Sequence, residues 1–98
     1  MPKLTAEQVQ EKLKSLADWK LINGEIVREV SFKDFLSAMD FVNQVAGSAE
    51  AAGHHPDIDI RYNKVRLALI SHDAGGLTSR DFDLAAVIDN ILAKGKRR

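Results

Sequence analysis

Asn23-Gly24 is the feature that most narrows what this chain can fold into. Both residues tolerate the positive φ of a type I′ turn, whose twist matches that of two antiparallel strands. Trp19-Lys20-Leu21-Ile22 and Glu25-Ile26-Val27-Arg28-Glu29-Val30 flank the pair and read as its strands, with Leu21 facing Ile26 and Trp19 on the same side. A second hairpin follows. Ile58, Ile60 and Tyr62 alternate with Asp57, Asp59 and Arg61, then Val65, Leu67 and Leu69 alternate with Arg66, Ala68 and Ile70, with a turn expected at Asn63-Lys64. Tyr62 reads as half-buried sheet packing.

Helical patterns surround both hairpins. Thr5 with Gln8 forms a capping box, Leu4 and Val9 sit at staple positions, and Val9, Leu13 and Leu16 make one stripe that Asp18 ends. Ser31 is placed to cap a second helix with Asp34 at its third position; Phe35, Ala38, Met39, Val42, Val45, Ala46 and Ala49 form its apolar face. Gly53 and Pro56 stop it. Asp73-Ala74-Gly75-Gly76 reads as a loop; Thr78 and Asp81 as a capping pair, Leu77 and Phe82 as a staple; Leu84, Ala85, Ile88, Ile91 and Leu92 as the last buried stripe. The order αββαββα implies an α+β fold: a four-stranded, largely antiparallel sheet with helices packed on one face, in one domain over residues 1–98.

Charge and composition exclude several classes. Fourteen basic against fourteen acidic residues give a net charge of zero, which argues against direct nucleic-acid binding. Lys94-Gly95-Lys96-Arg97-Arg98 reads as a solvated helix end. With no cysteine, thiolate chemistry and disulfides are excluded, and the reducing cytoplasm is the expected compartment. Met1-Pro2-Lys3-Leu4-Thr5 lacks the apolar core of a secretory signal, and no apolar run approaches a membrane span of roughly 20 residues. A chain of 98 residues has little stability to spare and leaves sheet edges open, so a homo-oligomer, a dimer or tetramer, is expected.

All three histidines fall between positions 54 and 72. His54 and His55 are expected to end the second helix, and His72 the fourth strand. Glu50 lies one helical turn before His54, so spacing puts these two side chains on one face, where the carboxylate would orient the imidazole. A helical His-x3-His pair is absent and adjacent His54 and His55 diverge, so no metal site is expected.

Taken together, Glu50-x3-His54-His55-Pro56-x5-Tyr62-x9-His72-x8-Asp81 resembles the signature of the pterin-4a-carbinolamine dehydratase family, and the resemblance runs through nearly the whole chain. His54-His55-Pro56-Asp57, Tyr62-Asn63-Lys64-Val65 and His72-Asp73-Ala74-Gly75-Gly76-Leu77-Thr78 carry it. Ile58 departs from it, since animal members typically carry an aromatic residue there. The resemblance implies an αββαββα domain that removes water from a 4a-hydroxy-tetrahydropterin to give quinonoid dihydropterin, with no metal or organic cofactor. It makes His54 and His72 the acid–base pair, adds Glu50 and Asp81 as supporting catalytic groups, and assigns pterin binding to His55 and Pro56 together with His54 and His72. It also brings an alternative: animal members act as dimerisation cofactors for a homeodomain transcription factor, a non-catalytic role in assembly.

Overall fold

The computed structural model describes residues 2–95, so Lys96, Arg97 and Arg98 of the basic tail lie outside the described residues. The elements are α1 (Ala6–Leu13), β1 (Lys20–Ile22), β2 (Glu25–Ser31), α2 (Phe35–Ala52), β3 (Asp57–Arg61), β4 (Lys64–Leu69), a 3-10 turn over His72–Ala74, and α3 (Ser79–Gly95). The strands form one antiparallel sheet in the order β1-β2-β4-β3.

Local chemistry explains most boundaries. Thr5 and Gln8 make the reciprocal capping box. Asn23 and Gly24 take φ of 51° and 81°, and Leu21 pairs with Ile26 as the turn requires. Several boundaries differ from the sequence reading, and β1 begins at Lys20 rather than Trp19. α1 stops at Leu13 rather than Asp18, although Leu16 still reaches the core. The cap of α2 is Asp34, not Ser31: its carboxylate accepts from the Ser37 N–H at 2.8 Å, while Ser31 continues β2 opposite Lys64. The second hairpin turns at Tyr62-Asn63, with Tyr62 at φ 53° and 67% exposed, so it is not sheet packing. Asn63 locks that turn by donating its side-chain amide to the Phe32 carbonyl at 2.7 Å.

Period-two alternation sorts the sheet. Ile26 of β2 and Val65, Leu67 and Leu69 of β4 are fully buried and share one core with Val9 of α1, Val45 and Ala49 of α2, and Leu84 and Ile88 of α3. All three helices thus cover the same sheet face. The opposite face carries cross-strand rungs such as Glu29–Arg66–Asp59. On the helix-covered face, Arg28, opposite Leu67, reaches Asp89 of α3 at 2.6 Å, and the Trp19 indole N–H donates to the same carboxylate oxygen at 2.8 Å.

Candidate functional site

α2 ends in a Schellman turn. Gly53 adopts the left-handed conformation (φ 64°), its N–H donates to Glu50 O at 3.2 Å, and the His54 N–H donates to Ala49 O at 3.1 Å. This reverses the chain before His54. The i,i+4 relation between Glu50 and His54 therefore fails, and the pairing expected from spacing is not formed. Glu50 binds His55 Nε2 instead, in an exposed pair. His54 turns inward and is 8% exposed.

His54 Nε2 meets Asp81 Oδ1 at 2.5 Å, from an aspartate with no exposed surface. Asp81 also completes the start of α3: its Oδ2 accepts from the Thr78 N–H at 2.9 Å. The same oxygen accepts from the Ser71 hydroxyl at 2.9 Å, and Ser71 Oγ lies 2.9 Å from Thr78 Oγ1. A helix-capping carboxylate thereby joins α3, the segment after β4 and the segment after α2.

Register explains the convergence. Asp57 opens β3 opposite Ala68, so His54-His55-Pro56 and Ile70-Ser71-His72 emerge at the same end of the sheet. His72 does not end β4, which stops at Leu69; it opens the 3-10 turn and is exposed. An isolated bridge between Ser71 and Gly76 closes that loop. Arg80 donates to Asp73 at 2.7 Å, and this hydrogen bond holds the Asp73 carboxyl below the ordinary aspartate range. His54 also lines a cleft of about 180 Å³ with Ser48, Ala52, Arg80, Asp83, Leu84 and Val87. Among the described residues no group of three or more His, Asp or Glu side chains is arranged to hold a metal ion, and no helix is long and apolar enough to cross a membrane.

Ser71 did not stand out as a site residue in the sequence. A signal was present: Val65, Leu67 and Leu69 face the core, and the same period carries Ser71, a polar residue, to the buried side.

The profile of the pterin 4 alpha carbinolamine dehydratase family matches residues 2–91. The chain belongs to this family. A relative from Acidobacterium capsulatum that carries a provisional pterin-4-alpha-carbinolamine dehydratase name is 64% identical over 92 residues, covering 94% of this chain and all of that one (100%). Another of the same name, from Chloroflexus aurantiacus, is 59% identical over 92 residues and covers 94% of this chain and 99% of its own. Among solved structures, a transcriptional coactivator/pterin dehydratase from Brucella melitensis superposes with a TM-score of 0.87 at 34% identity, covering 91% of this chain and 97% of that chain. A pterin dehydratase-like protein described as a RuBisCO assembly factor in the alpha-carboxysome shares the fold alone, with a TM-score of 0.61 at 19% identity over 74% of this chain and 84% of that one. A shared fold does not by itself fix a role.

Proposed function

We propose that the protein dehydrates a 4a-hydroxy-tetrahydropterin to quinonoid dihydropterin by histidine acid–base catalysis. The observation that carries this reading is the buried His54–Asp81 pair in a chain of the dehydratase family. An imidazole held by a buried carboxylate has one nitrogen fixed in orientation and the other free to exchange a proton.

Hydroxide is a poor leaving group. The reaction needs a proton delivered to the 4a-oxygen as the C–O bond breaks, while the lone pair of an adjacent ring nitrogen forms a C=N bond and that nitrogen loses its proton. His54 and His72 take these two roles. They sit on segments leaving the same end of the sheet, one anchored by Asp81 and the other on the loop that follows Ser71. His55, held by Glu50 at the surface, binds and orients the pterin, with Pro56 beside it. Neither step calls on a metal or an organic cofactor. The cysteine-free sequence suits the cytoplasm, and the protein works as a homo-oligomer, since among the described residues the outer edges of β1 and β3 have no strand partner in one copy.

The test is a dehydration assay with 4a-hydroxy-tetrahydropterin generated in place by an aromatic amino-acid hydroxylase. Acceleration over the spontaneous reaction, abolished in a His54→Ala/His72→Ala double variant, supports the reading. A folded protein without acceleration overturns it and favours a non-catalytic role in assembly.

A further inference from the structure

The number of available protons fixes the hydrogen-bond directions around Asp81. Ser71 has a single hydroxyl proton, and it goes to Asp81 Oδ2. The 2.9 Å contact between Ser71 and Thr78 hydroxyls must then be donated by Thr78. Thr78 Oγ1 in turn accepts from the backbone N–H of Arg80 at 3.3 Å. The order is Arg80 N–H to Thr78, Thr78 to Ser71, Ser71 to Asp81, each donor pointing toward the carboxylate. Ser71, Thr78 and Asp81 are buried, with 1%, 0% and 0% exposure, so water does not substitute for any of them. Bonds aligned in one direction polarise one another, and the effect is concentrated on the last acceptor.

This wiring has a consequence for His54. Oδ2 is occupied by two donors, the Ser71 hydroxyl and the Thr78 N–H, which leaves Oδ1 as the acceptor for the imidazole. The carboxylate accepts, so Nε2 carries a proton. In the neutral ring Nδ1 then holds the lone pair.

We propose that Ser71 and Thr78 are positioning residues that fix the rotation of the Asp81 carboxylate, hold His54 in its Nε2–H tautomer and make Nδ1 the nitrogen offered to substrate. The proposal rests on the dehydratase reading for its kinetic part only; the tautomer is a property of the free protein. Other charged groups near His54 are Arg80 and Asp83, which line the same cleft from α3, and the Glu50–His55 pair before and after it in the chain. Arg80 has only donors and gives one to Asp73, and Glu50 is engaged by His55, so neither takes the acceptor role of Asp81.

Nitrogen-15 spectra of the protein with labelled histidine, recorded where the imidazoles are neutral, read the tautomer directly. His54 is expected as Nε2–H. In Asp81→Asn the two donors retain the carbonyl oxygen at the Oδ2 position, which turns the amide NH2 toward Nε2 and drives His54 to the Nδ1–H form. Either an Nδ1–H wild type or an unchanged tautomer in Asp81→Asn overturns the proposal, whether or not the protein dehydrates pterins. In the kinetic arm, Ser71→Ala is expected to lower kcat about tenfold with KM within about twofold, and Ser71→Thr, which keeps the hydroxyl, to restore it. Thr78→Val, which removes the hydroxyl that donates to Ser71, is expected to lower kcat in the same direction, and Thr78→Ser to restore it. Equal kcat in Ser71→Ala and Ser71→Thr, with both folded by circular dichroism, sinks the positioning role. A wild type inactive on pterin with the expected tautomers overturns the dehydratase reading instead and leaves the hydrogen-bond assignment standing.

Discussion

Asp81 presents one carboxylate oxygen to His54 Nε2 at 2.5 Å from a position with no solvent exposure, so nothing but protein satisfies its charge. The same side chain caps α3 through Thr78 and ties down Ser71. Asp81→Ala would leave a buried hydroxyl, a backbone N–H and an imidazole without their acceptor, and is expected to destabilise the fold by about 3 kcal/mol. Urea unfolding at neutral pH checks this, through a lowered midpoint with an unchanged slope. Asp81→Asn, which keeps an acceptor for Ser71 and Thr78, is expected to lose clearly less. Equal losses in the two variants would show that the hydrogen bonds at Oδ2 contribute little.

The three histidines should separate kinetically because their surroundings differ. His54 is buried against a carboxylate, whereas His55 is 62% exposed at its side chain and held only by Glu50. His54→Ala and His72→Ala are expected to lower kcat by about 10- to 10⁴-fold, the range for lost acid–base help. His55→Ala is expected to raise KM more than it lowers kcat. Glu50→Gln should follow His55→Ala in direction with a smaller effect, because spacing alone linked Glu50 to His54 and the fold does not. Steady-state kinetics decide. A Glu50→Gln variant whose kcat falls as far as that of His54→Ala would restore the pairing that the Schellman turn breaks.

The hairpins and helices were readable because their signals are local. Asn23-Gly24 needs no tertiary context, and the Thr5–Gln8 box satisfies orphan donors within one turn. Spacing misleads where a single backbone conformation redirects the chain. Gly53 was recognisable as a helix stop, but its left-handed turn also cancels the 3.6-residue geometry that placed Glu50 beside His54. Tyr62 continued the alternation of β3 on paper, yet the turn begins at that residue and lifts it into solvent. The His54–Asp81 contact joins residues 27 apart on different elements, which no spacing rule reaches. Only the family resemblance put Asp81 at the site, and neither source singled out Ser71.

Arg28, Trp19 and Asp89 form a second long-range anchor that local patterns do not show. Asp89 lies on α3 and receives both the guanidinium at 2.6 Å and the indole N–H at 2.8 Å, tying the helix to β2 and to the start of the first hairpin. Arg28 is only 12% exposed at its side chain and has a further buried Nε with no partner among the described residues, so loss of Asp89 leaves a poorly solvated cation. The exposed Asp18, 3.5 Å from the other guanidinium nitrogen, is a weak substitute. Asp89→Ala is expected to destabilise by about 2 kcal/mol, and Asp18→Ala by under about 0.5 kcal/mol. Tryptophan fluorescence in urea reports both, since Trp19 is the chain's single tryptophan. Similar midpoints for the two variants would remove Asp89 from its anchoring role.

Acid sensitivity should appear at the start of α2. The Ser37 N–H bonded to Asp34 holds this carboxyl below the ordinary aspartate value of 3.8, with nearby Lys33 acting in the same direction. A carboxyl lowered in the folded state stabilises the fold above its ordinary value, and that contribution is lost as pH falls through the lowered one. The stability gap between wild type and Asp34→Ala should therefore be full near pH 6 and narrow once pH drops below about 4. Asp34→Ser is the control, because its hydroxyl caps without titrating in this range. The gap between Asp34→Ser and Asp34→Ala should stay level across the same series. Urea midpoints measured from about pH 6 down to about pH 3 test both expectations. A wild-type gap that stays constant to the acid end would mean that the carboxylate charge does not matter at this cap and that any hydrogen-bond acceptor serves there equally well.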